Sequence, residues 1–508
     1  MAHRWRISRG WSAGSLARTA VRLGRIGEHA SGSEQLTKDR ARLLIISPSW
    51  SPGFWGGGRA LAPPLSLPLL AGLTPPDVHV RLIDENVEQV DVNTPADWVA
   101  MTCMTASAPR AYELADAFRD RGIPVVMGGI HPSVMPDEAS AHAAAVVVGE
   151  AEPVWRIIIE DLAADRLKKR YSDFGWADMK GLPLPRRDLL RTERYVTVKV
   201  VQTARGCPHS CSFCSVTPVF GRRYRFRPVP EVVEEVRSLG GWIGFVDDNI
   251  VGHARRAKEL FEALIPLNIR WVGQGDLSLA RDPEMLALAA RSGCQAMFIG
   301  FESLSAENLR ATGKLPNLRG DMGEAIQKIH RAGIEIIASF VLGLDGDDLG
   351  VFKRTADFAE KHKLMAAQFA VLTPFPGTAI RTQLEHEGRL LDHDWTHYTM
   401  SKVVFRPKKM TAAELHEGQV GTYKRFYSIP SIVKRGMALR GKLIARLVVN
   451  LSYRGVNRGT GVSKALRTLR ERSLTPAWLF SWASRPRSGA RAGSRVYDTA
   501  GGRQNRPR

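Results

Sequence analysis

Between positions 41 and 420 the apolar residues fall into short unbroken runs, and these alternate with stretches that repeat every three to four residues. Leu43–Ser47, Val80–Asp84, Val99–Thr102, Val125–Gly128 and Ala145–Gly149 are too short for buried helices, and each reads as a strand. Ala111–Arg119 and Val154–Leu162 carry a helical period between them. Strands without an exposed polar face, separated by helices, predict a parallel doubly wound sheet. Such sheets bind ligands beyond the carboxyl ends of their strands. There the chain places Gly128-Gly129-Ile130-His131-Pro132 and Gly149-Glu150. It has no GxGxxG, so a dinucleotide site is not predicted.

Residues 166–195 are polar, hold Pro183, Pro185 and Arg186-Arg187, and read as a linker. A second alternation follows. Its strands are Thr197–Thr203, Ile243–Asp247, Arg270–Gly273, Ala296–Gly300, Ile334–Leu342 and Ala367–Leu372. Its helices include Pro230–Leu239, Ala254–Leu264, Pro283–Arg291, Met322–Ala332 and Val351–Lys361. Six such units predict a complete or partial parallel barrel with its active groups at the carboxyl ends of the strands. After Lys408 the pattern becomes irregular and basic, with an amphipathic stretch at Met437–Leu451 and an aromatic patch at Pro476–Trp482. The expected divisions are a basic leader over 1–40, a sheet domain over 41–165, the linker, and a barrel over 196–400. An extension over 401–430 and a basic tail over 431–508 complete the chain.

Composition changes this picture in one respect. The 508 residues are 44% hydrophobic and 24% charged, which suits packed domains and rules out wholesale disorder. Five cysteines are too few for a disulfide scaffold and point to a reducing, cytoplasmic compartment. No apolar run approaches the roughly 18–20 residues needed to span a bilayer. The net charge of +21 suggests nucleic acid or an anionic surface, but its location does not. Residues 1–40 carry +5 and residues 424–508 carry +18, leaving 41–423 at −2. No specific nucleic-acid partner is expected of the body. For the tail two readings stand: peripheral attachment to anionic lipid at the inner face of a membrane, or a solvated basic segment.

The chemistry lies in three cysteines. Cys207, Cys211 and Cys214 follow an apolar strand with C-x3-C-x2-C spacing. A structural zinc site needs four ligands, and His209 is the sole nearby candidate for the fourth. An iron–sulfur cluster on three thiolates leaves one iron open to substrate or cosubstrate. Cys207-Pro208-His209-Ser210-Cys211-Ser212-Phe213-Cys214 resembles the signature of the radical SAM superfamily. The resemblance implies a [4Fe-4S] cluster that binds S-adenosylmethionine (SAM) at its open iron, and reductive SAM cleavage to a 5′-deoxyadenosyl radical. It also implies an external one-electron donor of the flavodoxin or ferredoxin type.

By the same resemblance Phe213 lies near the SAM adenine, and Asp247 and Asp248 stand in for the element that receives the SAM amino group. Glu302, Ser339, Gly343 and Thr373 belong to the later strand ends that face SAM. For Asp247 and Asp248, acids at a helix N-terminus remain the plainer reading. Cys103 and Cys294 lie in apolar surroundings and read as buried, inert thiols.

A Rossmann-like domain before such a barrel resembles the cobalamin-binding branch of the superfamily, and the Gly128–Pro136 and Val146–Glu152 wording is typical of it. The implied cobalamin contacts are Thr105, Ser107, Gly128, Gly129, His131, Gly149 and Glu150. A D-x-H-x-x-G motif is absent, so no histidine is expected below the cobalt, and His131 reads better as a locally bonded loop residue. The segment Trp395–Leu415 resembles hopanoid C-2 methylase-like members. Together these features predict an α/β chain: a Rossmann-like cobalamin-binding domain, a radical SAM (β/α)6 partial TIM barrel and a basic helical extension. The implied activity is methyl transfer to an unactivated carbon of a small-molecule or lipid substrate. The rivals are a radical cyclase or oxidoreductase, an RNA-modifying methylthiotransferase, and a non-catalytic cobalamin or iron–sulfur binding protein.

Overall fold

The computed structural model describes residues 40–49, 60–436 and 443–456. The expectations for the leader, for Pro476–Trp482 and for the end of the tail lie outside the described residues.

Two six-stranded parallel sheets form the body. The first contains β1 (Arg42–Ser47), β2 (His79–Asp84), β3 (Trp98–Thr102), β4 (Val125–Gly128), β5 (Ala145–Val147) and β6 (Arg170–Tyr171). Its order, β2-β1-β3-β4-β5-β6, reverses direction between β1 and β3. The central strands are mostly apolar because both faces are covered, whereas β2 at the sheet edge exposes His79 and Arg81. Leu44, Ile46, Val99 and Val125 face one buried cluster, and Leu43, Ile45, Ala100 and Val126 face the other.

β6 lies inside the stretch predicted as a linker. That stretch is folded rather than loose. Tyr171 is buried and donates to Asp161 at 2.7 Å, and Arg187 donates to the Val198 and Val200 carbonyls and to Glu235.

The second sheet runs β14 (Ala366–Val371), β13 (Glu335–Leu342), β12 (Cys294–Glu302), β11 (Arg270–Gly275), β10 (Trp242–Phe245) and β7 (Val200–Val201). Its order follows the chain, and β7 and β14 do not pair with each other, so the barrel is partial. β7 is far shorter than the predicted Thr197–Thr203. Beyond it the backbone leaves the sheet to pair antiparallel as β8 (Ala204–Arg205) with β9 (Arg225–Phe226). That detour begins the cysteine loop.

The predicted helices at Ala254–Leu264, Pro283–Arg291 and Val351–Lys361 form as expected. Asp282 caps the second of them by accepting from the Met285 N–H, and Pro283 follows at the first helical position.

After Lys408 the predicted basic helical extension forms. Thr411 and Glu414 form a capping box for the helix Ala412–Phe426, and helices Ile429–Gly436 and Leu443–Val456 follow. The described part of the amphipathic stretch therefore packs on the barrel instead of standing as a separate tail. Arg446 is 2% exposed and pairs with Glu335 at 2.9 and 2.6 Å, and Asn450 donates to the Met365 carbonyl at 2.8 Å. No helix among the described residues is long and apolar enough to cross a membrane. Arg446→Met leaves Glu335 buried without its partner, so the expected loss of stability is about 3–5 kcal/mol. Denaturant unfolding of the purified protein measures it.

Candidate active site

The cysteine loop is built by backbone contacts to three other segments. The Cys207 N–H donates to the Gly221 carbonyl at 3.3 Å, and the Ser212 N–H donates to the Thr312 carbonyl at 3.0 Å. The Ile380 N–H, at the start of another helix, donates to the Ser212 carbonyl at 2.9 Å. Gly206 opens the loop at φ +84°, and a Cβ there would collide with the Arg223 carbonyl; this position requires glycine on both counts.

All three cysteines are free and half-buried. Among the described residues no three His, Cys, Asp or Glu side chains converge on one ion-sized point. His209 lies 3.4 Å from Asp276. Burial pushes all three thiols up, Cys211 to about 11, and the nearby Lys314 ammonium opposes the rise in each. The Lys314 ammonium offsets part of the cost of forming the thiolates that iron needs, while the net shift stays upward.

Lys314 escaped the sequence reading. Its Nζ lies 2.9 Å from Glu302 Oε1, with both side chains buried. Burial pulls the ammonium down, but Glu302 and the cysteines outweigh it and the net shift is upward. Glu302 itself sits at φ +61° beside a register shift between Gly300 and Glu302, a backbone conformation that costs a non-glycine residue energy. Asn317 holds it there by donating to both the Gly300 and Phe301 carbonyls at 2.9 Å. Gly300 carries no side chain because the Glu302 carboxylate occupies the space. Ser339 neighbours Gly300 across the β12–β13 register.

Of the two aspartates after β10, Asp247 is buried and both of its oxygens are engaged. It accepts from the Thr203 N–H at 2.6 Å, the Ala204 N–H at 2.6 Å and the Thr203 hydroxyl at 2.9 Å. Burial still pushes it up to about 6. Its role is to anchor the start of the cysteine loop. Asp248 is reachable by solvent, although its setting pushes it up to about 6 through lost hydration, opposed by Arg205.

Phe213 packs against the barrel core. A Cβ on Gly343 would meet Leu415 and Phe405 of the C-terminal segment, and the Thr373 hydroxyl donates to the Val371 carbonyl.

A cavity of about 730 Å³ opens at the carboxyl ends of β1, β3, β4 and β5, at the point where the strand order reverses. Ser47, Thr105, Ser107, Gly128, Gly129 and Gly149 line its sheet side. Gln202, Arg205, Ser215, Val246, Phe375 and Tyr398 line its barrel side. The cavity therefore joins the two domains. It suits a large cofactor with an organic ring: the walls are mostly apolar, and a Cβ built on Gly149 meets nothing within 4 Å. The Ser107 hydroxyl caps its own turn through Met104, and the Ser133 hydroxyl links the Gly129 carbonyl to the Gly149 N–H.

Of the expected cobalamin contacts, His131 is absent from the cavity lining. The His131 ring is fully buried outside the cavity wall, 3.3 Å from Glu138 and edge-on to Trp395 at 5.2 Å, so it bonds locally. Glu150 lines the cavity, with its carboxylate engaged by other residues. It accepts from Arg225 at 2.6 Å through both oxygens and from the Ala177 N–H at 2.7 Å, while the adjacent Arg205 pairs with Glu152. Because Arg205 directly precedes Gly206 and Cys207, the sheet domain grips the cysteine loop. Cys103 is buried with its thiol pushed up to about 12 by burial, and Cys294 is buried as well.

Residues 201–359 match the radical SAM superfamily and residues 62–158 match the B12 binding domain. The bacteriochlorophyllide d C-12(1)-methyltransferase of Chlorobaculum tepidum is 30% identical over 414 residues, which span 78% of this chain and 90% of that one. The hopanoid C-2 methylase of Rhodopseudomonas palustris is 26% identical, over 70% of this chain and 72% of that one. The fold is similar to that of the cobalamin-dependent SAM radical enzyme OxsB, solved with aqua-cobalamin and SAM bound. The TM-score there is 0.63 at 15% identity, over 87% of this chain and 76% of that one.

Proposed function

The chain belongs to the cobalamin-binding branch of the radical SAM superfamily and uses a [4Fe-4S] cluster, SAM and cobalamin; on that premise we propose that it is a methyltransferase acting on an unactivated carbon of an extended apolar ring system. The observation that carries this reading is the single cavity shared by the glycine-rich strand ends and the barrel mouth. When bound, the cluster supplies the electron that cleaves SAM reductively, and cobalamin supplies a methyl carrier.

The chain's own residues bind, orient and shield. Cys207, Cys211 and Cys214 hold the cluster, and Lys314 with Glu302 sets fixed charges beside it. Gly128, Gly129 and Gly149 let the backbone approach the cobalamin ring. Apolar walls exclude water from the space between the domains.

The substrate class is read from the rim. Met104 and Met400 are 65% and 50% exposed at the cavity's edge, and Met400 is held at φ +61° with its carbonyl accepting from Val371 and Gln419. Exposed methionines at a mouth suit an adaptable apolar contact. The similar methyltransferases are named for a hopanoid and a bacteriochlorophyllide, which share that character.

The test is an anaerobic reaction of reconstituted enzyme with SAM and apolar ring compounds, followed by mass spectrometry. Methyl transfer gives a product heavier by one methylene, with 5′-deoxyadenosine and S-adenosylhomocysteine formed in equal amounts. A product without added carbon, and no S-adenosylhomocysteine, sinks the proposal in favour of a cyclase or oxidoreductase.

A further inference from the structure

Reductive SAM cleavage needs an electron from outside the chain, and the two loops that brace the cysteine loop concentrate unpaired positive charge beside it. One runs Gly221–Arg223 behind Gly206 and Cys207; the other runs Arg310–Arg319, with Thr312 bonded to Ser212 and Gly313 packed on Ser210. They carry Arg222, Arg223, Arg310 and Arg319, and Arg281 joins them by donating to the Pro316 and Arg319 carbonyls at 3.3 Å. All five are exposed, and none has a carboxylate partner among the described residues. Exposed arginines elsewhere are of both kinds: Arg42, Arg186, Arg237 and Arg354 pair with carboxylates, whereas Arg81, Arg255, Arg291, Arg331 and Arg406 form no ion pair among the described residues. These two loops place four such arginines in two short segments bonded to the cysteine loop. Between 306 and 320 Glu307 is the sole carboxylate.

This concentration of charge is local, since residues 41–423 together carry −2. Leu315, 54% exposed, gives it an apolar point. None of the six residues lines the cavity, so this surface is separate from the space for cobalamin and substrate. We propose that it is the docking surface for a small acidic one-electron donor protein. The proposal rests on the cluster reading above.

Electron transfer falls steeply with distance, so a donor must seat against the loops that enclose the cluster. Unpaired arginines attract an acidic partner and align it before contact. The step moves one electron from the donor's reduced centre to the cluster. The donor is oxidised by one, the cluster is reduced by one, and no covalent bond changes.

The experiment uses the reconstituted full-length protein and a small acidic [2Fe-2S] ferredoxin, reduced beforehand. Stopped-flow absorbance follows ferredoxin reoxidation, and electron paramagnetic resonance follows the reduced cluster. R310E/R319E and R222E/R223E should each slow ferredoxin-driven reduction on the order of 10-fold at low ionic strength. They should also flatten its salt dependence. Reduction by dithionite should give the wild-type signal in both variants.

Ferredoxin-driven rates equal to wild type in both variants overturn the assignment. Charge reversals that weaken binding of an RNA oligonucleotide but leave electron delivery intact also overturn it, and reassign the patch to a polyanion. A wild-type protein that gives no reduced-cluster signal with dithionite overturns the cluster reading, and the docking surface with it.

Discussion

Cys211→Ala should abolish formation of 5′-deoxyadenosine from SAM, with activity falling at least 10³-fold, on the order of the loss when an essential catalytic group is removed. The cause is in the donor set. On the proposed assignment three thiolates are the whole of the protein's hold on the cluster, and His209, the nearby candidate for a fourth ligand, lies against Asp276. Losing one frees a second iron and weakens the remaining attachment. Burial also keeps the thiols of the metal-free loop protonated, so iron must displace protons on binding. With one site gone the balance turns against assembly. Iron and sulfide content should fall with activity, and the absorbance of the reconstituted cluster should fade. Cys103→Ala and Cys294→Ala are the controls. Both thiols are buried in apolar clusters and belong to other strands, so both variants should keep their iron and their SAM cleavage. Wild-type cleavage by Cys211→Ala would remove the cluster from this loop.

What was legible in the sequence was local. Strands β1 to β5 lie within two residues of the runs that predicted them, because a strand buried on both faces must be apolar at every position. The cysteine spacing was legible because the three ligands share one short loop. What could not be read depends on contacts distant in sequence. Lys314 matters through Glu302, twelve residues earlier, and through cysteines about a hundred residues earlier. Glu150 looked like a cofactor contact because it ends a strand beside Gly149. Its carboxylate is claimed by Arg225, 75 residues on. Met400 lines the cavity with its carbonyl held by Val371 and by Gln419 of the following helix, a contact that local pattern does not show. The helix Leu443–Val456 shows the limit most plainly. An apolar face flanked by arginines has the same periodicity whether it meets lipid or a barrel. Its destination was set by Glu335, a carboxylate at the start of β13 that Arg446 alone could not reveal.

Gly149→Phe should lose cobalamin while keeping iron. Gly149 lies just beyond β5, at φ +91°, with its N–H donating to the Ser133 hydroxyl. A Cβ there meets nothing within 4 Å, since the space in front of it is the cavity. A phenyl ring fills part of that space and competes directly with the cofactor ring. Backbone strain is the rival explanation for any loss, and Gly149→Ala separates the two. Both substitutions impose about 1–3 kcal/mol of strain on the fold, through the same left-handed conformation. Only phenylalanine adds bulk. Gly149→Ala should therefore unfold at lower denaturant yet retain cobalamin, whereas Gly149→Phe should elute from gel filtration without the cobalamin absorbance. None of the three cluster cysteines lines this cavity, so iron content should match wild type in both variants. SAM cleavage should continue in Gly149→Phe, and methylated product should be absent. If Gly149→Ala loses cobalamin as fully as Gly149→Phe, the strand-end backbone rather than open space governs binding. If Gly149→Phe keeps cobalamin, the cofactor does not occupy this cavity.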